Sequence, residues 1–311
     1  MHKRFKTWLF NGTPFYARLM FIIGAATLTM KAMLESRYGD SVVVYLAIPF
    51  VISILLHQFT APRSDDTVAG HVLRHVRSAM IVMLASSALL MEGFICVLFM
   101  IPIYLLGALL AYVFMEIRQN ARTRNSQMKA YAIPALVALL SIEGLTAATS
   151  LPRFQTVSVT RELPATAAEL QANMAKPITF NNDRTWLLSV FPLPVQVNAG
   201  SLNAGDTHSL DFIYKRWFFT LAKRGQMHLH LDEVRPDYIH TTVTKNTSYL
   251  AGYMDIDGTE VHFHEQDNGT TRVTLTLRYE RHLDPSWYFG PLQSLAMRQS
   301  ADYLINNVIA R

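Results

Sequence analysis
The residue type most suggestive of chemistry in this chain is histidine, which clusters in its second half. His228 and His230 fall on one predicted strand, His240 on the next, and His262 with His264 on the one after. A spacing of two puts each pair on one face of a sheet. If the Arg235-Pro236-Asp237 turn pairs Val234 with Tyr238, then Asp232 faces His240 and His230 faces Thr242. Three imidazoles and a carboxylate are a donor set that zinc accepts. Against this, His228 and His230 alternate with Met227, Leu229 and Leu231, so the histidines point away from the apolar face and into solvent. The expectation is no metal site, with His228, His230, His240 and Asp232 as the positions where one would form.

A general acid or base would have to come from Tyr214, Tyr253, Tyr279 or Asp211, and none is singled out by spacing. The chain has no Gly-x-Ser-x-Gly nucleophile turn, no phosphate-cradling glycine loop and no HExxH pair. Catalytic residues are therefore not assigned. Trp186 and the run Tyr214-Lys215-Arg216-Trp217-Phe218-Phe219 join aromatic rings to cations, which suits either a bilayer interface or an ordinary strand with a solvated arginine. Glu92 and Glu143 sit in apolar surroundings, each followed by glycine, and read as residues of the outer membrane interface.

Two contrasting halves must position these groups. The chain has 311 residues, half of them hydrophobic, and a net charge of +5. Long apolar stretches occupy residues 15–148 and none follows Pro152. Many basic residues lie in short loops beside apolar runs, which is a topological pattern, so no nucleic-acid partner is expected. The single cysteine, Cys96, excludes a disulfide framework. The basic start before Phe15 is like that of a signal peptide, but the apolar run is too long, and 15–34 reads as a retained helix.

Further spans are expected at 42–59, 74–92, 98–116 and 130–147. The apolar region 79–115 would extend about 55 Å as one helix, too long for a core of roughly 30 Å, so it reads as two crossings turning near Glu92-Gly93. Five crossings place the N-terminus and the basic 60–78 and 117–129 loops in the cytoplasm, with the near-neutral 35–41 loop outside. The expected location is a bacterial inner membrane, with residues 153–311 on its outer side.

In that second half the period changes. Phe154–Arg161 alternates as a strand, and Pro164–Ala175 reads as a helix with a capping box from Thr166 to Glu169. Strands are predicted at 186–191, 207–216, 225–234, 238–245, 253–266 and 271–282. A long helix follows Asp284-Pro285 and runs to about Ile309.

This order, with Val157-Ser158-Val159-Thr160-Arg161-Glu162-Leu163-Pro164-Ala165, Gly269-Thr270-Thr271-Arg272-Val273-Thr274-Leu275 and Leu283-Asp284-Pro285-Ser286-Trp287-Tyr288-Phe289, resembles the START-like (SRPBCC) superfamily. The first half resembles the multispanning anchors of some bacterial members. The resemblance implies an α+β helix-grip domain: a curved antiparallel sheet, a long C-terminal helix, and between them a cavity for lipids, polyketides or other hydrophobic ligands. On the alternating faces its lining would include Leu229, Leu231, Val243, Phe263, Leu275, Leu277 and Tyr279. From the helix come Leu292, Leu295, Tyr303 and Leu304. The expected function is membrane-anchored binding or transfer of a hydrophobic ligand, with a lipid as partner and no cofactor. The alternatives are a cyclase- or hydrolase-type enzyme and a non-catalytic docking protein.

Overall fold
The computed structural model describes residues 15–36, 38–59, 67–90, 94–121, 124–180, 184–192, 194–215 and 222–311. The chain divides into two compact units, Met1–Leu151 and Pro152–Arg311.

The first unit is helical. Helix α1 spans Phe15–Leu34, a π turn at Val43–Ala47 leads into α2 at Ile48–Phe59, and α3 (Val68–Leu89), α4 (Phe94–Asn120) and α5 (Arg124–Leu140) follow. Helix α3 starts before the expected position 74 because the Thr67 hydroxyl accepts from the Gly70 N–H and caps it. Helix α4 begins at Phe94 and carries Pro102 inside it. Helix α5 ends at Leu140, before position 147, in a run of turns where Gly144 has a φ of 81°. Glu143 lies in these turns, and Glu92 falls outside the described residues. Among the described residues, Val68–Leu89 and Ile95–Asn120 are long and apolar enough to cross a membrane. Two shorter apolar helices cover Val43–His57 and Met128–Leu140. Helix α4 packs on α2, α3 and α5, and Leu46, Phe50, Ala111, Phe114 and Val137 share one buried cluster.

The second unit is an eight-stranded antiparallel sheet and a long helix. Its strands are β1 (Phe154–Leu163), β2 (Ile178–Thr179), β3 (Pro194–Asn198), β4 (Thr207–Lys215), β5 (Ala222–Arg235), β6 (Tyr238–Asn246), β7 (Met254–Glu265) and β8 (Thr271–Arg281). The sheet order is β1-β8-β7-β6-β5-β4-β3-β2. Helix α6 (Ala167–Met174) has the capping box expected of it: Thr166 accepts from the Glu169 N–H while the Glu169 carboxylate accepts from the Thr166 N–H. The segment expected as a strand at 186–191 is instead one helical turn, α7 (Trp186–Ser189), because Thr185 caps it by accepting from the Leu188 N–H. The short strands β2 and β3 carry too few residues for a period-2 signal.

The final helix α8 (Ser286–Leu304), continued by a π turn at Ile305–Ile309, lies on the apolar face of the sheet. Along β8 every second side chain is buried, from Thr271 through Val273, Leu275, Leu277 and Tyr279 to Arg281. Val273, Leu275, Leu277 and Tyr279, with Ile239 and Val261, share a core with Met297, Ala301, Ile305 and Ile309 of the helix. A sheet that buries one face against a single C-terminal helix is a helix-grip arrangement. Where β8 turns into α8, the fully buried Asp284 carboxylate accepts from Arg281 Nη1 at 2.7 Å and from Arg153 Nη2 at 2.6 Å. This ties the end of the sheet, the start of β1 and the first turn of the helix together.

Candidate functional site
The alternation that builds the sheet's inner face also places a polar group there. On β4 the inner positions are His208, Leu210, Phe212 and Tyr214, so the same period that buries the apolar residues buries His208. Between this face and the end of the helix lies a cavity of about 100 Å³. Leu210, Leu229, Leu231 and Leu275 line it from the sheet, and Leu304 and Val308 from the helix. Its polar lining side chains are His208, Thr241 and Thr259.

His208 is held in a defined orientation. Its Nε2 lies 2.6 Å from the Ser201 carbonyl, which can only accept, so Nε2 carries hydrogen and Nδ1 of the neutral ring is an acceptor. Ser201 is fixed in turn by Asp206, whose Oδ2 accepts from the Ser201 hydroxyl and, at 2.9 Å, from the Asn203 N–H. The Ser201 hydroxyl, followed by the backbone of Asn203, holds the Asp206 carboxyl below the usual carboxylate range. Thr241 and Thr259 face each other at 2.8 Å between their hydroxyl oxygens, and the Thr259 N–H donates to Thr241 Oγ1. The cavity is therefore an apolar space with an imidazole acceptor and a hydroxyl pair.

Of the side chains expected to line a cavity, the structure brings Leu229, Leu231, Leu275 and Leu304 to it. Leu277 and Tyr279 are buried in the core, and Val243 and Tyr303 belong to a neighbouring cluster around Phe212 and Met227. Phe263 is buried and borders a different, open groove of about 640 Å³ beside α6 and the β5–β6 turn. Leu292 is half-buried, and Leu295 is 47% exposed, which removes it from the cavity. The helix buries Phe289, Gln293, Ala296, Met297 and Ala301. Residue 295 lies two steps beyond Gln293, about 200° around the axis at 3.6 residues per turn, on the opposite side.

The candidate acids and bases lie elsewhere. Tyr214 stacks on Tyr249 with centroids 4.0 Å apart, and the Tyr249 and Tyr253 hydroxyls meet at 2.8 Å. Tyr279 donates to Gln155 Oε1, and burial pushes its phenol up to about 12. Asp211 is on the outer face, accepting from Gln226 and Asn198.

The histidines of the next strands do not converge. His230 pairs with Thr242 in the register expected, but a bulge between Leu231 and Glu233 puts Glu233, not Asp232, opposite His240. Asp232 still reaches His240 Nδ1 at 3.5 Å and accepts from Thr242 at 2.6 Å. Arg278 donates to His240 Nε2 at 2.7 Å and pairs with Glu260. His230 contacts Thr207, His262 lies near Glu260, and the His228 backbone carbonyl accepts from Thr244. Among the described residues no group of three or more His, Cys, Asp or Glu is arranged to hold a metal ion. Trp186 is 76% exposed, and Arg216 to Phe219 fall outside the described residues.

No family model and no curated protein matches the chain. Solved structures align with about half of it. A START superfamily protein from Mycobacterium smegmatis is 14% identical over 49% of this chain and 96% of its own, with a TM-score of 0.33. The Zhui aromatase/cyclase from Streptomyces sp. R1128 is 16% identical over 50% of this chain and 92% of its own, with a TM-score of 0.32. A protein from Chromobacterium violaceum is 15% identical over 50% and 97%, with a TM-score of 0.31. The helix-grip assignment of residues 152–311 rests on this chain's own strand order and on the helix packed across the sheet.

Proposed function
We propose that the second unit binds a hydrophobic ligand with one hydrogen-bonding end, gripped between the sheet and α8, and that the first unit anchors it in a membrane with the second unit outside. The observation that carries the binding reading is the apolar cavity with His208 and the Thr241/Thr259 hydroxyls in its lining. Such a cavity matches the usual composition of a small-molecule site, mostly apolar with a few placed polar groups. A ligand hydroxyl could donate to His208 Nδ1 and exchange a hydrogen bond with a threonine. At about 100 Å³ the space is well below the roughly 300–1,000 Å³ of drug-sized sites, so it accommodates one end of a ligand. A longer chain requires Leu304 and Val308 to move away from the sheet.

Support for the anchor comes from the two long apolar helices and from the basic residues flanking the apolar runs. The binding test uses the full chain in detergent and a fluorescent fatty alcohol. Leu304→Trp is expected to weaken binding at least tenfold, and His208→Ala to weaken the alcohol more than the alkane of equal length. Normal binding by Leu304→Trp in a folded protein would remove the site from the grip. Equal losses for alcohol and alkane in His208→Ala would remove the polar contact.

A further inference from the structure
The first unit contains a buried cluster that ligand binding in the second unit does not use. Helix α2 brings His57, α3 brings His71 and His75 one turn apart, and α4 brings Tyr112 and Glu116. The three histidines and Tyr112 are all buried, none more than 7% exposed. The His57 ring centroid lies 5.5 Å from that of His71, 5.7 Å from His75 and 5.6 Å from Tyr112. Glu116 is the side chain of the group that reaches outward, at 31% exposure, and its Oε1 is 3.2 Å from His71 Nδ1. The Tyr112 hydroxyl lies 3.3 Å from the same nitrogen.

Among the described residues, two ring nitrogens of the cluster have no partner. His75 Nε2 faces the Ala108 carbonyl at 3.2 Å and must donate to it, so His75 Nδ1 is a lone pair, buried and without a hydrogen bond. His57 Nε2 is met by the Gln119 side-chain amide nitrogen at 3.0 Å, which donates, so the His57 proton sits on Nδ1. That N–H is also buried and unpartnered. Native interiors leave few polar atoms in this condition, and the lone pair on His75 Nδ1 can accept a proton without breaking an existing hydrogen bond. A metal does not fit the arrangement of donors among the described residues.

We propose that this cluster is a proton-binding site that takes up one proton, held on the histidines against Glu116. With Glu116 ionised and three neutral imidazoles the group carries one negative charge, and one proton neutralises it. A second would leave uncompensated positive charge among rings less than 6 Å apart in a buried setting. Outside the cluster, the charged side chains on the helices packed here are Arg18 and Lys31 of α1, Arg74 and Arg77 of α3, Arg118 of α4 and Lys129 of α5, all positive, with Lys31 paired to Glu35 just past the end of α1. His71 bonded to Glu116 at the exposed end gives the proton its entry. The inference depends on helix packing within the first unit and not on the ligand cavity.

The test is nuclear magnetic resonance of histidine-labelled full chain in detergent micelles between pH 8 and pH 5, with signals assigned by single His→Asn variants. One cluster imidazole is expected to become imidazolium while the other two stay neutral. Glu116→Gln is expected to demand at least one pH unit more acid. Two or three charged rings, or none, in the wild-type protein would overturn the proposal, and this count holds even if the variant does not fold. So would a Glu116→Gln midpoint equal to the wild-type one. Stoichiometric zinc binding that shifts all three signals at pH 7.5 would replace the proton with a metal.

Discussion
The strongest stability prediction concerns Asp284, because its carboxylate is wholly buried and shared by two arginines. Arg281 is also fully buried, and its Nε and Nη2 have no partner, so its one ionic contact is with Asp284. In Asp284→Asn the shape survives and the charge does not. Removing one member of a buried pair costs about 3–5 kcal/mol, mostly because the remaining charge is left uncompensated. Arg153 contributes little to that figure because its side chain is 26% exposed and can turn to water. The assay is amide hydrogen exchange in the full chain. The Arg281 N–H donates to Arg153 O and the Phe289 N–H to Pro285 O, both at 2.9 Å, and together they report opening at the junction of β1, β8 and α8. At 1.36 kcal/mol per factor of ten, their exchange should quicken by about 150- to 5,000-fold. In Arg281→Met/Asp284→Leu neither buried charge remains, so more than half of the loss should be recovered. A change below fivefold in Asp284→Asn, or a double variant less protected than the single one, would refute the pairing argument.

Further outcomes follow from the same contacts. Gly258→Ala would bring a Cβ to 2.0 Å from the Thr241 carbonyl oxygen, beside the register shift of β7, and should destabilise the unit by about 2 kcal/mol or more, measured by urea unfolding. Because the Asp206 carboxyl is held below its ordinary value, the stability it supplies is present above that value and is lost as pH falls through the lower folded one. Below about pH 4 the Ser201 turn should loosen and ligand binding weaken, and Asp206→Asn should remove this acid dependence; an unchanged acid profile in that variant would separate Asp206 from His208. Reporter fusions after Asn120 and after Arg311 should read cytoplasmic and external, and the same compartment for both would eliminate the proposed anchor topology.

Much of the second unit was legible because its strands carry one buried face, so period-2 alternation located β1, β4, β5, β6, β7 and β8. Single residues proved harder. Thr185 turned an expected strand into a helical turn through one hydrogen bond, and the bulge beside Asp232 shifted the histidine register by one residue. Leu295 looked like part of the apolar stripe with Ala296 and Tyr303, which are buried, yet the buried face runs on through Gln293, Met297 and Ala301 and leaves Leu295 exposed. His208 was less legible. Its place on the inner face follows from its spacing to Leu210 and Phe212, but it stands alone, without the second histidine two residues away that marks β5 and β7.

The two histidine groups show why burial, and not residue type, decides where chemistry is possible. On the outer sheet face His228, His230, His240 and His262 find separate neighbours, Arg278 and Asp232 among them, and water screens what remains. In the helical unit His57, His71 and His75 are removed from water and placed within ring contact, so each protonation changes the energy of the others. His71 and His75 are separated by one helical turn, a spacing as visible in the sequence as the two-residue spacing on the strands. The partner that gives it meaning is His57, which reaches them only through the packing of α2 against α3, a contact that local periodicity does not encode. A charge state shared among three helices also couples their packing to pH.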